Sequence, residues 1–167
     1  FLVSINDYVD QIMDEIPSSS QDERFDAPTI NLRGISTTNN FSRGEVMRVV
    51  NLMNDGGYIN KQYFKAILQK SKELLRSYET VYDITFPQAN DESDESSDPM
   101  VTIVGDIHAQ FYTMLGIFQV NGFPTTDHVY IFNGDFLDRG PRNIQTLTTL
   151  LLFKLHCPEC IHFTRGN

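Results

Sequence analysis

Apolar and polar positions follow two different rhythms, which change near Met100. Upstream, apolar residues recur at helical spacing. In Val3 to Ile16, the residues Ile5, Val9, Ile12, Met13 and Ile16 would share one side of a short amphipathic helix. Pro17-Ser18-Ser19-Ser20-Gln21-Asp22-Glu23 then reads as a solvated linker. A stronger helix signal starts at Ser42, which as N-cap forms a capping box with Glu45. Val46, Val49, Val50 and Met53 supply its apolar face, and Asn54-Asp55-Gly56-Gly57 stops it. A second helix is predicted from about Asn60 to Tyr78, with Tyr63, Phe64, Ile67, Leu68, Leu74, Leu75 and Tyr78 near the helical period. That stripe reads as a packing face rather than a cofactor contact.

From Met100 onward, short continuous apolar runs alternate with helical segments. The runs Met100–Val104, Val129–Phe132 and Cys160–Phe163 read as strands, with helices around Phe111–Gln119 and Asn143–Leu155. The order β-α-β-α-β predicts a mainly parallel sheet covered by helices and joined by right-handed crossovers. The chain therefore divides into residues 1–41, a terminal segment and linker without an assignable role; 42–99, a helical lead-in with an acidic loop; and 100–167, an α/β core. The acidic loop is Asp91-Glu92-Ser93-Asp94-Glu95-Ser96-Ser97-Asp98-Pro99, whose spacing matches no calcium loop and which reads as a surface insertion.

Composition narrows the partners. The 167 residues carry a formal charge of −9, from 13 basic and 22 acidic side chains. That disfavours nucleic acid and anionic membrane surfaces. It leaves a phosphorylated substrate open, because bound cations reverse the local field. No apolar run approaches the roughly 20 residues of a membrane helix. The chain starts at Phe1 and ends at Asn167 inside a motif, so it is expected to be a fragment of a longer protein. Its two cysteines make no disulfide framework, which fits a reducing compartment. His156-Cys157-Pro158-Glu159-Cys160-Ile161-His162 imitates a metal knuckle, but no second cysteine pair exists and the segment closes a helix. It is expected to be a helix-to-strand turn.

Three phrases carry candidate chemistry, each just past a predicted strand: Gly105-Asp106-Ile107-His108, Gly134-Asp135-Phe136-Leu137-Asp138-Arg139-Gly140, and Arg165-Gly166-Asn167. Open α/β sheets place their sites at the carboxyl ends of strands. Asp106 and His108, two residues apart in an extended turn, can reach one point. Oxygen plus imidazole suits manganese, iron or zinc better than magnesium or calcium. Near-equal β-α steps then bring Asp135 and Asn167 to the same edge. A carboxylate can bridge two cations, and two cations can activate a hydroxide for attack on phosphorus. Arg139 is suited to clamp a phosphate, since a guanidinium pairs two oxygens at once.

Singly, each phrase is weak. As an ordered set, Gly-Asp-x-His, Gly-Asp-x-x-Asp-Arg-Gly and Arg-Gly-Asn are highly specific. The set resembles the metal-dependent serine/threonine phosphoprotein phosphatase family, within the calcineurin-like phosphoesterases. The likeness covers roughly residues 42–167, with the motifs in 100–167. Asn121-Gly122-Phe123-Pro124 and Tyr130-Ile131-Phe132-Asn133-Gly134-Asp135 look most like the branch that holds protein phosphatase type 5 and the EF-hand phosphatases. Asp138-Arg139-Gly140 points to the protein phosphatases over nucleases or purple acid phosphatases.

The resemblance implies the N-terminal part of a calcineurin-like metallophosphoesterase β-sandwich with flanking helices, an α/β fold. It implies hydrolysis of phosphoserine and phosphothreonine in proteins by a hydroxide bridging two divalent or trivalent metal ions, manganese first, with iron or zinc as alternatives. Asp106 and His108 would bind one metal, Asp135 would bridge both and Asn167 would bind the second. Arg139 would hold the substrate phosphate. Asp138 would orient a catalytic histidine expected immediately after Asn167. The family's later metal-binding histidines and second phosphate-binding arginine are not in the sequence, so the fragment alone is expected to be inactive. Phosphoprotein substrates, regulatory subunits or domains, and a cytoplasmic or nuclear location follow from the same resemblance; nucleic acid and membrane do not. Two departures stand out: Ala109 where the family's first motif continues with Gly, which puts the turn geometry in question, and Leu137 for a usual Val, a packing-neutral swap. Two further readings remain open, a non-catalytic pseudo-phosphatase or interaction module and another calcineurin-like phosphoesterase acting on nucleotides or small phosphates.

Overall fold

The computed structural model describes residues 29–30, 41–81, 83–84 and 99–167. The expected helix at 3–16, the linker at 17–23 and the acidic run before Pro99 lie outside them. The elements run β1 (Thr29–Ile30), α1 (Arg43–Asn54), β2 (Tyr58–Ile59), α2 (Lys61–Arg76), β3 (Met100–Val104), α3 (Phe111–Asn121), β4 (His128–Phe132), α4 (Asn143–His156) and β5 (Ile161–Phe163). Among the described residues, the strands and helices predicted from Ser42 onward are present, with ends shifted by at most two residues. There the two-residue parallel pairing of β1 with β2 was not foreseen, because it is too short to show a period.

The helices form where local chemistry asks for them. Ser42 caps α1: its hydroxyl accepts the Glu45 amide, and the Glu45 carboxylate accepts the Ser42 amide at 2.8 Å. Val46, Val49, Val50 and Met53 turn inward. The Asn60 side chain accepts the Tyr63 amide at 2.7 Å and caps α2. Its buried face is Tyr63, Phe64, Ile67, Leu68, Ser71 and Leu75.

The main sheet has the order β3-β4-β5 and is parallel throughout, with Thr102 opposite Tyr130 and Tyr130 opposite Ile161. Helix α4 is buried all round from Thr146 to Leu155. It packs against α1, α2, α3 and β5, so it is the shared core of the helical lead-in and the sheet. Phe118 of α3 centres an aromatic cluster, in ring contact with Phe123, Tyr130, Phe132 and Phe153. Burying such a side chain contributes on the order of 2–3 kcal/mol. Among the described residues no helix is long and apolar enough to cross a membrane.

The turn between α4 and β5 forms as expected, closed by the Cys160 amide donating to the Cys157 carbonyl at 3.0 Å. One expectation about it needs correction. Cys157 and Cys160 are joined by a disulfide, where the two cysteines were expected to make no disulfide framework. The turn brings their Cα atoms to 5.3 Å, within bonding reach, although the sequence offers no framework of spaced pairs.

The α1 cap is directly testable. Ser42→Ala should lower unfolding stability by about 1 kcal/mol at neutral pH. The hydrogen bonds from Ser42 hold the Glu45 carboxyl below its usual range. The part carried by the Glu45 carboxylate is therefore present above the unfolded carboxyl's pKa and is lost as pH falls through the lowered folded one, while the Ser42 hydroxyl still accepts the Glu45 amide. Urea titrations of both proteins should show a gap that narrows but does not close in acid, and a gap independent of pH would remove the carboxylate half of the cap.

Candidate metal centre

Three loops leave the carboxyl ends of β3, β4 and β5, and backbone bonds sew the first two together. The Asp135 carbonyl accepts both the Ile107 amide at 3.3 Å and the His108 amide at 3.0 Å. The Ala109 amide donates to the Phe136 carbonyl at 2.9 Å, and the Asn133 amide to the Val104 carbonyl at 2.8 Å. The stitching demands unusual dihedrals. His108, Ala109, Asp135, Asp138 and Arg139 all have positive φ, between 39° and 66°. Left-handed backbone is costly for side-chain-bearing residues, and such residues collect at functional sites. The departure at Ala109 is thereby resolved: the turn forms with Ala109 buried at φ 56°.

Glycines permit the close packing between loops. A Cβ on Gly134 would overlap the Gly166 backbone, and one on Gly140 would overlap the His108 carbonyl. A Cβ on Gly166 would strike the Asp135 carboxylate. The third loop is thus pressed against Asp135. It is pinned further by the Thr164 amide on the Phe132 carbonyl at 2.9 Å and the Thr164 hydroxyl on Asn133 Oδ1 at 3.0 Å.

Asp106, His108 and Asp135 converge, each offering a ligand atom within 4.8 Å of the others. His108 Nδ1 lies 2.9 Å from the Leu137 carbonyl. A carbonyl only accepts, so Nδ1 carries a proton, and in the neutral ring Nε2 then presents a lone pair. Nε2 faces the Asp106 carboxylate at 3.8 Å. A neutral imidazole with its far nitrogen fixed by a carbonyl is the arrangement metal-binding histidines need. Two carboxylates and one imidazole also match the preferences of manganese, iron and zinc. These residues therefore fit the implied metal.

The other predicted residues sit around this cluster. Asn167 is exposed and follows Gly166, which abuts Asp135. Asp138 and Arg139 are exposed on the left-handed turn and lie outside the three-ligand group. Asn143 braces that turn: its Oδ1 accepts the Asp138 amide at 2.8 Å and its Nδ2 donates to the Gly140 carbonyl at 3.2 Å. Three supporting features escaped the sequence reading. The Leu137 carbonyl leaves no sequence trace. Asn143 was readable as a capping-type residue at the start of α4. Gly140 was readable as the close-approach glycine of its motif.

Residues 99–167 match the calcineurin-like phosphoesterase family model. The chain is similar to serine/threonine-protein phosphatase 5 of Solanum lycopersicum, 39% identical over 109 residues that cover 65% of this chain and 18% of the relative. It is also similar to serine/threonine-protein phosphatase 5 of Homo sapiens, 40% identical over 101 residues, covering 60% of this chain and 18% of that one. The chain thus spans about a fifth of the length of these relatives. Among solved structures it resembles a protein serine/threonine phosphatase from Saccharomyces cerevisiae described as similar to human phosphatase PP5. That likeness has a TM-score of 0.60 and 25% identity, over 75% of this chain and 38% of the other.

Gly140→Ala tests the seam between the loops. The added methyl meets a backbone carbonyl that cannot swing away, so a loss of at least about 2 kcal/mol of stability is expected. Manganese(II) affinity, measured by calorimetry on the same protein, should fall with it. Unchanged stability and affinity would show that the two loops are not in contact.

Proposed function

We propose that this chain contributes to a protein-serine/threonine phosphatase that hydrolyses phosphoserine and phosphothreonine in phosphoproteins. The observation that carries this reading is the convergence of Asp106, His108 and Asp135, with the His108 proton fixed on Nδ1, in a family whose relatives bear that activity in their names. Two metal ions, manganese in the first instance, would supply Lewis-acid charge and lower the pKa of a water nucleophile. Asp106 and His108 would hold the first ion, Asp135 would serve both sites, and Asn167 would serve the second. Exposed Arg139 offers two parallel N–H donors to phosphate oxygens, which orients the phosphoryl group and neutralises its charge. The Asp138 carboxylate, exposed beside it, would orient the catalytic histidine that the resemblance implies, which as an imidazolium would give its proton to the departing serine or threonine oxygen.

The ligands expected of the three motifs, Asp106, His108, Asp135 and Asn167, are all present, which favours a catalytic parent over a non-catalytic module. Serving both metal sites makes Asp135 the most sensitive position. In the full-length protein, Asp135→Asn should lower manganese-dependent kcat/KM on a phosphoserine peptide by at least about 10²–10³-fold while the protein stays folded by circular dichroism. Turnover near that of the unaltered protein would remove Asp135 from the bridging role.

A further inference from the structure

Lys154 is 1% exposed, in the last turn of α4. Burying an ammonium is costly unless its donors are used, and here they are. Nζ donates to the Pro158 carbonyl and, at 2.9 Å, to the Ile161 carbonyl. It also lies 4.4 Å from the centre of the Tyr78 ring, a cation–π distance. Burial pushes its pKa down to about 8, and the Glu159 charge pulls it back up.

What Lys154 holds matters more than how it is held. In a parallel strand, successive carbonyls point to opposite edges. The Cys160 carbonyl faces β4 and accepts the Tyr130 amide at 2.9 Å, so the Ile161 carbonyl faces away from β4. Lys154 meets it there. β5, only three residues long, is therefore gripped from β4 on one edge and from α4 on the other. The chain then runs from Phe163 straight through Thr164, Arg165 and Gly166 to Asn167.

We infer that Lys154 is a positioning residue for Asn167. Its two carbonyl bonds fix where β5 starts, and hence how far Asn167 reaches beside Asp135. The inference rests on the proposed ligand role of Asn167, but its first test does not. Amide hydrogen exchange of the metal-free chain should show Thr164, whose amide donates to the Phe132 carbonyl, exchanging at least tenfold faster in Lys154→Met, with β3 and β4 amides unchanged. Lys154→Arg should restore the slow rates, because a guanidinium can donate to both carbonyls. A cavity of about 450 Å³ beside Lys154, lined also by Tyr78, Ile131 and Phe163, has room for it. With manganese(II) added, the paramagnetic relaxation rate of the Asn167 side-chain amide, which falls with the sixth power of its distance from the ion, should drop in Lys154→Met, be kept in Lys154→Arg, and be unchanged at His108 in both. Unchanged exchange at Thr164, a uniform rise across β3 and β4, or no rescue by Arg would each overturn the inference. If Lys154→Met does not fold, Lys154→Gln, whose shorter side chain cannot reach both carbonyls, is judged by the same outcomes, with fast exchange expected. Absence of broadening at Asn167 in the unaltered chain would instead sink the metal-ligand reading and leave the exchange result standing.

Discussion

The structure turns on a seam of backbone hydrogen bonds between two loops. The amides of residues 107–109 donate to the carbonyls of Asp135 and Phe136, and the imidazole of His108 donates to the next carbonyl, that of Leu137. Those bonds place two carboxylates and a neutral imidazole at one point. They do so with main-chain atoms, so the ligand side chains remain available. The cost is five side-chain-bearing residues with positive φ, roughly 1–3 kcal/mol each. Charged groups and a metal can be set close together only if something else holds the loops, and the seam does this.

The seam needs a rigid base. Parallel β3 and β4 share five paired positions, so the loops leaving them start side by side. Helix α4, buried along most of its length, presses on β5 and on both lead-in helices. The apolar stripe of α1 and α2 thereby supports the site from a distance, by fixing the helix that follows the second motif. The disulfide between Cys157 and Cys160 and the Lys154 contacts tie the end of that helix to β5. Packing, turn and strand deliver the third loop against Asp135.

The elements were legible because their periods were strong and their punctuation clear. Ser42 with Glu45 marked one helix start, and Met100–Val104 stood out as an apolar, β-branched run broken by Thr102 alone. The β1–β2 pairing was invisible at two residues a strand. The site was legible as a set of residue types at strand ends, and Asp106, His108 and Asp135 do meet. Its support was not legible. Main-chain carbonyls such as that of Leu137 have no side-chain signature, and the buried state of Lys154 depends on carbonyls brought to it by the fold. The cysteine pairing was misjudged for a similar reason: spacing along the chain says little about thiol separation until the turn is known.

The central claim is that the seam exists before any metal arrives. Amide hydrogen exchange of Ile107, His108 and Ala109 in chelator-treated protein tests it most directly. The account predicts exchange at least about 100-fold slower than in an unstructured peptide, since each of these amides is bonded to a carbonyl across the seam. Exchange at unstructured-peptide rates, slowing only when manganese(II) is added, would contradict it and mean that the metal organises the loops.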